Sequence, residues 1–174
     1  MIARLEREFR RIQLIEEQIE QIDDFRSSLL QTSEDPLIEQ VRHLMKLKAI
    51  GINSAWLFVM ELFGWRKFRN RRKVGALAGL TPTHHQSGGS SLDQGISKAG
   101  NHYVRDIVIE IAWGWVRYQP NSKTTRWFQE RFATESKRLR RIGIVAVARR
   151  LLIELWQYLE TGEIPEGAVL QSPS

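Results

Sequence analysis

The segment Gln86-Ser87-Gly88-Gly89-Ser90-Ser91 places three hydroxyl nucleophiles beside two glycines. A serine hydroxyl attacks phosphorus or carbon only with help from a base, a metal or a polarising cation. Glycine neighbours let a bulky phosphodiester come close to the backbone. Lys98, Arg105 and a helix start at Asn101 follow, and these can stabilise charge that builds on a pentavalent phosphate. By composition alone the segment reads first as a flexible loop. His84, His85 and His102 lie nearby with Asp93. Adjacent histidines converge poorly on one ion, and no carboxylate cluster accompanies them, so no metal site is expected from this chain. Asp106 and Glu110, four apart, share a helix face and are expected to pair on its surface.

Two further constellations suit phosphate. The run from Leu47 through Gly51-Ile52-Asn53 to Ser54-Ala55 has the form of a helix-hairpin-helix. Gly51 stands in its turn, and Asn53, which tolerates the left-handed conformation, occupies the place of the usual second glycine. Backbone N–H groups at such a helix start can hold a phosphate without reading bases, although the same turn also serves as a plain connector. The stretch 65–73 then holds Arg66, Lys67, Arg69, Arg71, Arg72 and Lys73, six basic residues of nine. Its aromatics, Trp65 and Phe68, can stack on an unpaired base, but the expectation is that they anchor a core. Lys137, Arg138, Arg140 and Arg141 form another basic cluster, and Arg149-Arg150 a third. Each alone reads equally as a solvated face; three on one small chain favour a nucleic-acid groove.

These residues must be carried by something mostly helical. The chain has 174 residues, no cysteine and a net charge of +6, which hides an uneven distribution. Residues 1–36 carry −4, residues 37–159 carry +13, and the remainder −3. A body this basic suggests a polyanion as partner, and nucleic acid before membrane. The absence of cysteine excludes disulfides, thiolate metal sites and cysteine nucleophiles. No apolar run approaches a membrane span and no signal peptide follows Met1, so a cytoplasmic, nucleoid-associated prokaryotic protein is expected.

Leu5, Phe9, Ile12, Ile15, Ile19, Ile22, Phe25 and Leu29 recur at a mean spacing of about 3.4, nearer the 3.5 of a left-handed coiled coil than the 3.6 of a straight helix. The reading is therefore mostly α. A coiled-coil helix over 1–35 acts as the oligomerising segment, 36–168 form a helical domain with the helix-hairpin-helix and a long Gly/Ser loop, and 169–174 form a disordered tail. Helices are expected from Leu37, from Ser54, over 72–78, from Asn101 to Tyr118, from Ser122 to about 136, and over 139–160. A short strand is possible near 83–97. Trp113, Trp115, Trp127 and Trp156 fall in helical apolar patterns and are expected in the core.

Several ordered blocks carry a resemblance. They include Gly75-Ala76-Leu77-Ala78-Gly79-Leu80-Thr81-Pro82, Gln86-Ser87-Gly88, and Ile96-Ser97-Lys98-Ala99-Gly100-Asn101 with Arg105. Tyr118-Gln119-Pro120-Asn121-Ser122, Ile144-Val145-Ala146-Val147-Ala148-Arg149 and Thr161-Gly162-Glu163-Ile164-Pro165-Glu166-Gly167-Ala168 continue the series. Over about 44–168 the chain resembles the C-terminal serine transposase domain of the IS110 (IS116/IS902-type) insertion-sequence transposases. The resemblance implies a DNA recombinase in which a serine attaches covalently to DNA, and the matching position is Ser87, with Ser90 and Ser91 as alternatives. It also implies a structured guide RNA, dimers or tetramers, and a RuvC-like half whose four acidic residues (DEDD) hold Mg2+. No such half lies within these residues, so Mg2+ is expected only with it, and the chain alone is expected to be a poor recombinase. An excised domain, a truncated remnant and half of a split enzyme all fit. A non-catalytic binding or assembly module is the alternative reading. Ile50 and Asn53 stand where the family has proline and glycine in the hairpin block.

Overall fold

The computed structural model describes residues 2–87, 90–97 and 99–171, with the backbone alone for 82–95. The chain divides into two compact units, residues 1–39 and 40–174. The first is dominated by α1 (Ile2–Thr32), a 31-residue helix with no buried residue. No glycine or proline interrupts it. Exposed ion pairs such as Arg11–Glu8 at 3.3 Å add little to its stability. Asp35 then caps α2 (Pro36–Met45), its carboxylate accepting from the Leu37 N–H at 2.7 Å.

The second unit is helical around α7 (Lys137–Thr161). Gly143, Ile144, Val147, Ala148, Leu151, Leu152, Leu155 and Tyr158 form a stripe at three- and four-residue spacing, all buried. Against α7 pack α4 (Arg71–Leu77), α5 (His102–Tyr118) and α6 (Lys123–Phe132). The remaining helix, α3 (Ile52–Phe58), lies on α5 and runs directly into a π-helical turn, Val59–Phe63. Starts are set by local chemistry: Asn70, Asn101, Ser122 and Ser136 each accept a backbone N–H from their own first turn. Gly162, at φ +75°, ends α7 in the left-handed cap expected of glycine. Among the described residues no helix is long and apolar enough to cross a membrane.

The mostly α reading holds, with three differences in detail. The long Gly/Ser loop contains an antiparallel pair, β1 (Pro82–Ser87) with β2 (Ser90–Ile96), where only a short strand was expected. Of four tryptophans assigned to the core, Trp115 is fully buried, Trp127 and Trp156 are half-buried, and Trp113 is 43% exposed on the outer face of α5. Trp65, also assigned to the core, is 64% exposed. Residues 169–171, expected in a disordered tail, are tied to the body through Gln119 and through the carbonyls of Leu47 and Ile50; 172–174 lie outside the described residues.

One polar network fastens the carboxyl-terminal stretch across the turn between α2 and α3. Fully buried Gln119 donates to the carbonyls of Lys48 and Val169, both at 2.8 Å, and accepts from the Val169 N–H at 2.7 Å. Gln171 donates through its side chain to Leu47 and Ile50 and through its backbone to Lys46. Gly167, at φ +74°, passes so close to Asn121 that a Cβ there would overlap its carbonyl oxygen. Glu166 pairs with Lys123 at 2.7 Å and Arg126 at 3.3 Å, and the two cations, Lys123 foremost, hold its carboxyl below the usual carboxylate range. The blocks around 118–122 and 161–168 are thus two sides of one junction.

Candidate nucleic-acid interface and serine hairpin

The hairpin that carries Ser87 is built on a tight base. Gly79, at φ +66°, ends α4, and Leu80 donates back to Gly75. Across from it, Gly100 at φ +145° lies against the Leu77 carbonyl, where a Cβ would overlap the oxygen. Backbone bonds from Ser97 to Thr81 and from Asn101 to Leu77, both 2.9 Å, close the base. Asn101 has a second task besides capping α5: its amide donates to Glu61 at 3.3 Å. The chain therefore enters and leaves the hairpin at fixed points.

Ser87 and Ser90 pair with each other at the far end of the two strands, and Ser91 pairs with Gln86. Arg105 belongs to the base instead. It is half-buried and its guanidinium donates to the Ala78 carbonyl at 3.4 Å. Five residue steps of β1 separate Pro82 from Ser87, which is roughly 17 Å of extended chain. Arg105 is thus held at the base of the hairpin, and Ser87 is at its far end. Lys98 lies outside the described residues, and the side chains of His84, His85, Ser87 and Asp93 do as well. Among the described residues no group of three or more His, Asp and Glu could hold a metal ion. Asp106 and Glu110 share the exposed face of α5, together with Tyr103 and Trp113.

The hairpin-block turn differs from its sequence reading in which residue bears the strain. Ala49, at φ +82°, is the left-handed residue, while Gly51 is extended at φ −93° and starts α3 as its cap. Asn53 lies inside α3, so it needs no left-handed conformation. The Ser54 hydroxyl closes the turn by donating to Gly51 O at 2.9 Å and accepting from Gly51 N–H at 3.1 Å. A Cβ on Gly51 would meet nothing within 4 Å. The helices and turn are present, with the turn's carbonyls taken up by Gln119 and Gln171 and Gly51 facing open space. Sequence reasoning missed those two glutamines, whose partners lie 50 to 124 residues away.

The basic residues form the surface. Lys67, Arg69, Arg71, Arg72, Lys73, Lys137, Arg138, Arg140 and Arg141 are all exposed, and among the described residues none of them makes an ion pair. Arg66 is half-buried with its guanidinium 4.0 Å from the centre of the Trp65 ring. The helix α4 meets α7 at Gly75, where an added Cβ would lie 3.1 Å from Arg149 Nε. At 1.5 Å per residue, Lys137–Arg141 then lie roughly 12–18 Å along α7 from that crossing. The first turn of α7 holds only basic charge, at the end of the helix whose dipole already repels cations. Such a placement costs stability in isolation and is offset when an anion is bound.

Glu154 is half-buried and accepts from Thr124, and desolvation is the main cause that raises its pKa above the ordinary 4.5. Desolvation likewise lowers Arg150, whose guanidinium lies 4.0 Å from the centre of the Trp127 ring.

Comparison with known proteins finds similarity to transposases. Residues 41–126 match the model of the transposase IS116/IS110/IS902 family. A protein of Sinorhizobium fredii named as a transposase is 39% identical over 98% of this chain and 45% of its own length. A protein of Pseudomonas aeruginosa named as a family 20 transposase is 30% identical over 69% of this chain and 35% of its own. The transposase for insertion sequence element IS1328 of Yersinia enterocolitica is 30% identical over 53% and 27%. The chain spans less than half the length of each of these relatives. Over residues 41–126 the chain is thus similar to the IS116/IS110/IS902 transposase family.

Proposed function

We propose that this chain is the serine-bearing, nucleic-acid-binding part of a DNA transposase of the IS110 type. The observation that carries the reading is the set of nine exposed basic residues at 67–73 and 137–141, none with an acidic partner among the described residues. A basic surface whose charges were matched internally would have little to offer a phosphate backbone; this one has its full charge to offer. The basic residues grip DNA or a structured guide RNA through phosphates, and Gly51, with nothing over it, leaves the hairpin-block turn open to a strand. Asn53 supports that turn from within α3.

Ser87, at the end of β1, is the nucleophile of the proposal. Its oxygen forms a bond to phosphorus, the bond from phosphorus to one deoxyribose oxygen breaks, and the released sugar hydroxyl takes up a proton. The phosphodiester is exchanged, not hydrolysed, so its energy is kept for rejoining. Arg105 supports this chemistry as an anchor of the hairpin base, and Lys98 is assigned to charge neutralisation. The metal-binding acids and Mg2+ belong to a RuvC-like half supplied by another segment. The test is Ser87→Ala with that half supplied: the covalent protein–DNA adduct should vanish while DNA binding stays within about twofold. An adduct that persists in Ser87→Ala removes Ser87 from its role.

A second reading concerns assembly. The stripe on α1 is exposed at 49% to 65% over Leu5, Phe9, Ile12, Ile15, Ile19, Ile22 and Phe25, and its 3.4 spacing suits a second copy of the same helix. In this reading the chain oligomerises through residues 1–35 on nucleic acid without catalysis of its own.

A further inference from the structure

A shallow, largely open depression of about 540 Å³ lies between the turn after the π-helical segment and the flank of α4. Its lining is of two kinds: Arg66, Lys67 and Lys73 supply positive charge, while Phe68, Ala76 and Leu77 supply carbon. Among the described residues no acidic one contributes. Phe68 is half-buried, held edge-on by Phe63 and Trp156 at ring separations of 6.4 and 6.3 Å, so the ring is fixed in place. The Arg66 Nε is buried with no hydrogen-bond partner, although the same guanidinium lies over the exposed Trp65 ring. Trp65 is itself fastened by its indole N–H to the Met60 carbonyl at 2.9 Å, a carbonyl in the π-helical turn.

A surface that served phosphates alone would need cations and no concave carbon floor. This one has a fixed aromatic ring, two aliphatic side chains and three cations around a space within the roughly 300–1,000 Å³ range of small-molecule sites. Planar, apolar-faced and flanked by negative charge describes a base in its strand. We propose that the depression receives one unstacked nucleotide of a bound strand, its base on Phe68, Ala76 and Leu77 and its flanking phosphates on Arg66, Lys67 and Lys73. This rests on the nucleic-acid reading above and narrows it to strands with an unpaired base. Pulling a paired base out of its stack costs about what the aromatic contact returns, so the depression selects bases that are already unpaired.

Three fluorescein-labelled DNA hairpins of equal length test this by anisotropy with the full chain: one fully paired, one with a single bulged adenine, and one with an abasic bulge at that place. The bulged adenine should bind about tenfold tighter than either of the others, the size of effect a base–aromatic stack produces. Ala76→Phe, at an exposed position, fills the depression, and Phe68→Leu removes its ring. Both should erase the preference while leaving affinity for the paired hairpin within about twofold, and a thermal melt confirms that each variant is folded. Equal affinity for all three hairpins, or a preference that survives both variants, overturns the proposal with phosphate binding intact. Loss of binding to all three overturns the nucleic-acid reading along with it.

Discussion

Gly143 shows how single atoms set the packing around α7. A Cβ there would lie 2.7 Å from the Phe132 ring and 3.0 Å from Phe128. In an open helix Gly→Ala gains about 1 kcal/mol. Here the overlap falls on two rings in contact with each other, and overpacking of this kind costs about 1–3 kcal/mol. Gly143→Ala should therefore destabilise by about 1 kcal/mol in urea denaturation. Glu154 gives a pH-dependent counterpart. Because burial raises its folded-state pKa, its contribution to stability is complete below the ordinary 4.5 and is lost as pH rises through the raised value. Glu154→Gln should accordingly stabilise the fold more at pH 7 than at pH 4, as read by thermal melts across that range. An equal effect at both pH values would contradict the assigned cause. Neither residue was legible beforehand, because a glycine or glutamate within a helical pattern does not announce what lies across from it. The helix caps were legible: Asn101 and Ser122 act within their own first turn, and nothing distant decides them.

At the scale of elements, the carboxyl-terminal strap and the hairpin base make the clearest predictions. Gln119→Ala removes three hydrogen bonds and strands the Lys48 carbonyl and the Val169 N–H, while the Val169 carbonyl keeps the Lys48 N–H, so a loss of about 2 kcal/mol is expected. Limited proteolysis should then cut within 163–171 well before the rest of the domain. Gly100→Ala sets a Cβ on the Leu77 carbonyl in a backbone conformation that side chains avoid. It should displace the hairpin and reduce any Ser87 adduct more than it reduces DNA binding. Most helix positions could be read from apolar spacing and capping residues. The end of α6 could not: it stops at Phe132 with Ala133 as its cap, about four residues short of the expected end. The hairpin reads chiefly as a loop because Thr83-His84-His85-Gln86-Ser87 has no apolar alternation. The strap was invisible, since its partners are brought together only by the tertiary fold.

For the molecule as a whole, charge and the α1 stripe decide the behaviour. If α1 pairs with a second copy, Ile15→Glu should shift the chain to a monomer by light scattering without changing the melting of the helical domain. The basic surface is the central claim, and it was the most legible feature, because clustering of Lys and Arg survives any fold that keeps them outside. Removing metal with EDTA should leave binding by this chain unchanged, since the proposal places Mg2+ on another segment. The most direct measurement is affinity for duplex DNA as a function of salt, for the chain and for a variant with Arg69, Arg71, Arg72 and Lys73 all changed to Gln. Each phosphate neutralised contributes about −0.9 to the slope of log K against log salt. The slope is expected to be steep for the chain and shallower by about 3.6 in the variant. A shallow slope in both, or the same steep slope in both, would contradict a phosphate grip by these residues.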